Sequence, residues 1–124
     1  MSVPLQALEV SVVVKAYDIG VNPDLTLLDD YQQFVARGIS PKVPVTMHVP
    51  WALMGLVAEA GESIEVYEKA LRKKGELDGT DYDKIKDELG DVLWYLTAVA
   101  TTIDVSLVGL INHNIAKLKA RGYK

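Results

Sequence analysis

Apolar positions recur along most of this chain at steps of three and four, the spacing of helices dry on one side and wet on the other. The clearest run is Ile85, Leu89, Val92, Leu96 and Val99, one continuous stripe. Thr80, with Asp83 three residues on, predicts the N-terminal cap of that helix. A preceding helix is predicted from Pro50, which suits a first turn, through Leu53, Leu56, Val57, Ala60, Ile64, Tyr67 and Leu71 to a stop near Gly75. A last helix begins near Asp104, carries Leu107, Leu110, Ile111, Ile115 and Leu118, and ends at Gly122. A first one, over 26–37, takes Thr26 and Asp29 as its cap pair, shows Leu28, Tyr31, Phe34 and Val35, and closes at Gly38.

The segment 38–50 holds Pro41, Pro44 and Pro50 and reads as an ordered or semi-ordered loop. Residues 3–19 carry two patterns. Leu5, Leu8 and Val12 suit a helix, the valines at 12–14 suit a strand, and helix is the favoured reading. The expected architecture is all-α, a bundle of four to five helices in one domain over 1–124, with 1–24 an extension.

Composition narrows the class. The chain has 124 residues, 49% apolar and 24% charged, which is ordinary for a globular domain. No apolar run is long enough to predict a membrane span. The start, MSVPLQALEVSVVV, lacks a basic n-region and a small-residue cleavage site, so it reads as part of the mature protein. There are no cysteines, which removes disulfides and thiolate metal sites and makes a cytoplasmic location the expectation. A net charge of −4 argues against direct nucleic-acid binding.

The chemistry lies in two acid pairs. Glu59 and Glu62 stand three apart on the second predicted helix, Glu88 and Asp91 three apart on the third, each pair with a glycine inside it, Gly61 or Gly90. Residues three apart share a helix face. If the two helices pack antiparallel, the pairs face one another. Four converging carboxylates need a counter-charge. Lysine or arginine would serve, but oxygen donors with no histidine or cysteine beside them favour a hard divalent cation, magnesium first and manganese as substitute. Each glycine costs roughly 1 kcal/mol relative to alanine within a helix. The expected return is close helix approach or room for a phosphate. A single E-x-x-E is commonly just a solvated face; two glycine-bearing pairs in apolar helices are far rarer. Glu68 and Asp87 are expected on the surface, and Glu65 is either a marginal ligand or an ion-pair partner. On the last helix Asn114, Lys117 and Arg121 form a polar, cationic stripe able to meet phosphates, although lysines there also complement the helix dipole.

The order EAGE, ELGDVLWY, NIAKLKARGY resembles the MazG-type all-α nucleoside triphosphate pyrophosphohydrolases, whose signature is E-x-x-E, a variable spacer and E-x-x-D. Here 25 residues separate Glu62 from Glu88, and the resemblance covers about 25–123. It implies Mg-dependent hydrolysis of a (deoxy)nucleoside triphosphate to monophosphate and pyrophosphate. Glu59, Glu62, Glu88 and Asp91 would be metal ligands and catalytic groups. Lys117 and Arg121 would neutralise the β- and γ-phosphates, and Asn114 would bond phosphate or sugar. It also implies a homodimer or homotetramer with active sites built by neighbouring subunits. Trp51, Leu93, Trp94 and Tyr95, which exceed what one face of a short bundle uses, agree loosely with that, although Trp94 reads first as an ordinary core residue.

Base recognition would fall to the first helix and the loop after it, with Tyr31, Gln32, Phe34, Arg37 and Trp51 as candidates; Tyr31 also suits the core, Gln32 solvent and Trp51 an anchor for the second helix, and Phe34 is read as core. His48 is either a support to the site or a loop residue, and His113 is structural or on the surface. Two other readings stand beside the first: a phosphoribosyl-ATP pyrophosphohydrolase, and a helical oligomerisation module whose acids are only surface.

Overall fold

A computed structural model describes residues 25–124. The expectation for residues 3–19 and the extension 1–24 lie outside them. The described residues form four α-helices with no strand: α1 (Leu25–Gly38), α2 (His48–Lys74), α3 (Gly79–Thr102) and α4 (Leu107–Ala120), with a short 3-10 turn, Val45–Met47, leading into α2. The sequence pattern placed all four.

The boundaries moved where caps competed. The N-cap of α3 is Asp78, not Thr80: its side chain accepts from Asp81 N–H, and the Asp81 carboxylate accepts from Asp78 N–H. Aspartate is preferred to threonine at an N-cap, and Lys74 at the end of α2 reinforces this one by donating to Asp78 at 2.6 Å and Asp81 at 2.5 Å. Helix α4 starts at Leu107 behind an N-cap at Ser106, whose hydroxyl accepts from Gly109 N–H. Asp104, expected at its start, instead turns the chain at a positive φ of 60°. Thr26 lies inside α1, not ahead of it. Gly75 does end α2, in the left-handed conformation at φ 77°.

Helices α2 and α3 form the principal pair. Their contacts run in opposite directions along the chain. Lys74 meets Asp81, Glu59 meets Glu88 and Asp91, and Trp51 meets Trp94, which fixes an antiparallel hairpin joined by residues 75–78. Helix α1 lies across α3, and α4 packs on α1 and the end of α3.

The core is built from small residues. Val35, Ala52 and Ala98 are fully buried, with Tyr31, Ile39, Trp51, Trp94 and Val99 packed round them. Close approach of the helices comes from Gly55, against whose backbone the Tyr95 ring lies, not from Gly61 or Gly90. A β-carbon at Gly61 or Gly90 would meet nothing within 4 Å. The expectation of close helix approach at those two glycines is therefore corrected; they face open space. Phe34, expected in the core, is 58% exposed, because Tyr31 and Val35 occupy the inward face of α1, with Ile39 packing just past its end. The loop before α2 is ordered by Val43 N–H donating to the Ser40 carbonyl and by His48 Nε2 donating to the Val43 carbonyl at 2.9 Å.

Candidate metal centre

Midway along the hairpin the two acid pairs meet. Glu59 of α2 and Glu88 and Asp91 of α3 each bring one carboxylate oxygen within 4.8 Å of the others. The fourth acid, Glu62, stands beside this trio, close enough to interact with Glu59 and Glu88. Glu59 and Glu88 are half-buried, while Glu62 and Asp91 are exposed.

The electrostatics show what the grouping costs the chain by itself. Glu88 is pushed up to about 7, first by desolvation and then by the hydrogen bond and charge of Glu62 and of Glu59. Glu59 also moves upward, again first by desolvation and then by the Glu62 charge. Glu59 Oε2 and Glu88 Oε2 are both sheltered from solvent with no hydrogen-bond donor. Buried carboxylate oxygens seldom go unpartnered. No lysine or arginine forms an ion pair with any of the four acids among the described residues, and Glu59, Glu88 and Asp91 could hold a metal ion. The all-oxygen donor set suits a hard divalent ion.

Around this centre the remaining candidates divide. Tyr31 of α1 packs against the core, and its phenol is raised by burial and by the charge of Asp91, which places it at the edge of the acid cluster. Gln32 is occupied elsewhere. Its amide nitrogen donates to Thr101 Oγ1 at 3.2 Å and to the Val105 carbonyl at 2.8 Å, and its oxygen accepts from Leu107 N–H at 2.9 Å. It clamps the turn between α3 and α4. Trp51 is half-buried in an edge-to-face cluster, 6.2 Å from Trp94 and 5.6 Å from Tyr95 between ring centres, and anchors the start of α2. Asn114, Lys117 and Arg121 are exposed on α4. Glu68 is on the surface, paired with Arg72 at 3.0 Å, and Asp87 is exposed, both as expected.

Sequence reasoning missed a cleft of about 350 Å³ between α2 and α3 that opens beside Glu62 and Glu88. Lys69, Lys73, Lys74 and Lys84 line it. The signal was present: Lys69 and Lys73 follow the first acid pair on α2, and Lys84 precedes the second by one turn.

The fold and the site together define an all-α protein whose centre is a set of oxygen donors held by an antiparallel helix pair. Residues 52–123 match the MazG nucleotide pyrophosphohydrolase domain, and the chain belongs to that family. The matched stretch takes in α2 from Ala52, α3 and α4, and leaves α1 outside it. A relative, the Gene 37 protein of Mycobacterium phage L5, is 40% identical over 72 residues, 57% of this chain and 63% of that protein. The similarity thus spans less than two thirds of the relative's length. Among the described residues no single helix is long and apolar enough to cross a membrane.

Proposed function

We propose that this protein hydrolyses a ribo- or deoxyribonucleoside triphosphate to the monophosphate and pyrophosphate, as a control on the nucleotide pool. The observation that carries the reading is the convergence of Glu59, Glu88 and Asp91, with two sheltered oxygens that have no donor, on the helix pair that the family match covers. Glu59, Glu62, Glu88 and Asp91 would hold a divalent cation, magnesium or in its place manganese. When bound, that cation supplies polarisation of a phosphoryl oxygen and activation of water.

The chain's own groups do the rest. Water attacks the α-phosphorus and gives its proton to a carboxylate of the cluster or one beside it, the bond from that phosphorus to the α,β-bridging oxygen breaks, and pyrophosphate departs with the bridging oxygen and the bonding electron pair. The rigid α2–α3 hairpin fixes where the α-phosphate stands relative to the carboxylates. Tyr31, on the rim beside Asp91, would meet the base or sugar.

A homo-oligomer belongs to this proposal. Leu53, Met54 and Val57 of α2 are exposed, Val57 to 72%, and Leu110, Ile111 and Ile115 of α4 are exposed as well. So much exposed apolar surface among the described residues supports an association face. In a dimer or tetramer, Asn114, Lys117 and Arg121 would reach phosphates in the neighbouring subunit's site.

The test is release of pyrophosphate from a panel of ribo- and deoxyribonucleoside triphosphates and phosphoribosyl-ATP, with magnesium and with chelator. Metal-dependent release from the triphosphates, abolished in Glu59→Gln and Asp91→Asn, is the expected result. Turnover confined to phosphoribosyl-ATP would move the substrate to that compound. Acid variants with unaltered activity and metal binding would overturn the reading.

A further inference from the structure

The lysine cleft is not explained by the fold. Of its cations, Lys74 is committed to Asp78 and Asp81. Lys69, Lys73 and Lys84 have no ion-pair partner among the described residues, although Glu65 also lines the cleft. Three cations in one groove repel each other, as the acids do one site further along. Both charge signs share the lining: Glu62, Glu65 and Glu88 stand there with Lys69, Lys73 and Lys84 without an ion pair between them, and Asp81 is taken by Lys74. A ligand complementary to both carries a group that binds a cation at one end and bare negative charge at the other. At ~1.5 Å of rise per residue, Lys84 lies about 6 Å along α3 from Glu88, and Lys69 about 10 Å along α2 from Glu62. Those offsets are of the length of a short linear polyphosphate.

We propose that this cleft holds the terminal phosphates of the substrate, with Lys69, Lys73 and Lys84 as the residues that select triphosphates and grip the pyrophosphate product. The inference rests on the pyrophosphohydrolase reading and adds to it a phosphate subsite on the same chain as the acids. The exposed cations of α4 contribute separately. Lysine acts here as a mobile point charge that follows the phosphate through bond breaking and release.

The test uses the full chain with magnesium. Competitive inhibition by inorganic pyrophosphate and by the product monophosphate is measured for the wild type, Lys69→Gln/Lys73→Gln, Lys84→Gln and Lys69→Arg. A charge-assisted phosphate contact is worth about tenfold in affinity. The expected result is pyrophosphate inhibition weakened about tenfold for each lysine removed, monophosphate inhibition unchanged, KM for the triphosphate raised more than kcat is lowered, and binding retained by the arginine variant. A merely structural role would move both inhibitors together. Wild type that hydrolyses the panel, with pyrophosphate inhibition unaltered by the glutamines, overturns the cleft assignment alone. Wild type that hydrolyses no triphosphate overturns the pyrophosphohydrolase reading and the cleft with it.

Discussion

Three glycines on two helices offer one substitution with opposite outcomes. Gly55, Gly61 and Gly90 all lie inside α-helices, so changing each to alanine brings the same gain in helix propensity, roughly 0.5–1 kcal/mol. What differs is what the new methyl meets. At Gly61 and Gly90 nothing lies within 4 Å. At Gly55 the methyl would sit 2.6 Å from Cζ of Tyr95 and closer still to two other ring carbons. Tyr95 cannot swing away freely, because its ring is edge-to-face with both Trp51 and Trp94, at 5.6 and 5.1 Å between centres. Overpacking of this kind costs ~1–3 kcal/mol. The propensity gain cancels between variants, so Gly55→Ala should fall below Gly61→Ala and Gly90→Ala by about 1–3 kcal/mol. At roughly 4 °C per kcal/mol that is a separation of several degrees in Tm. The assay is urea and thermal unfolding in chelator, at several chain concentrations so that association is held apart from folding. Gly61→Ala and Gly90→Ala should be at least as stable as the parent. The reasoning fails if Gly55→Ala melts with the other two, or if either of those loses more than about 1 kcal/mol.

Without a cation, the stability contributed by Glu88 is fully present below its ordinary value of 4.5 and is lost as the pH rises through about 7, because its folded pKa is raised. Thermal unfolding from pH 4 to 8 in chelator should therefore show a decline that magnesium or Glu88→Gln removes; a flat profile would contradict the cluster electrostatics. Gln32→Ala leaves Leu107 N–H and the Val105 carbonyl without their partner, and should cost ~1–3 kcal/mol in urea unfolding while sparing magnesium binding at the acid cluster, which Gln32 does not bond. Asp78 is pulled down to about 2, chiefly by the Lys74 ammonium, so its stabilising contribution holds above its ordinary 3.8 and is lost as pH falls through about 2. Lys74→Gln should shift that acid limb of the stability curve upward in pH, read by circular dichroism.

The sequence by itself determined the four helices and the acid pairs. The stripe through Ile85 and Val99, the αL stop at Gly75 and the i, i+3 spacing of the carboxylates are local properties, set within a turn or two of chain. It did not determine which apolar residues are core. Leu89, on the most regular stripe, is 56% exposed, while Ala98 and Thr97 beside it are buried, because burial depends on which neighbouring helix arrives and at what distance. Tertiary structure also decided which glycine permits close packing. Gly61 and Gly90 stood out by their place in the motif, yet the approach occurs at Gly55, where a ring from a helix some forty residues away needs the space. Gln32 had an amide suited to a base edge until the fold brought the turn after α3 against it. The lysine cleft exists only because the hairpin's antiparallel register sets Lys69 and Lys73 of α2 opposite Lys84 of α3. Spacing along one helix is written in the chain; the meeting of two helices is a property of the packed molecule.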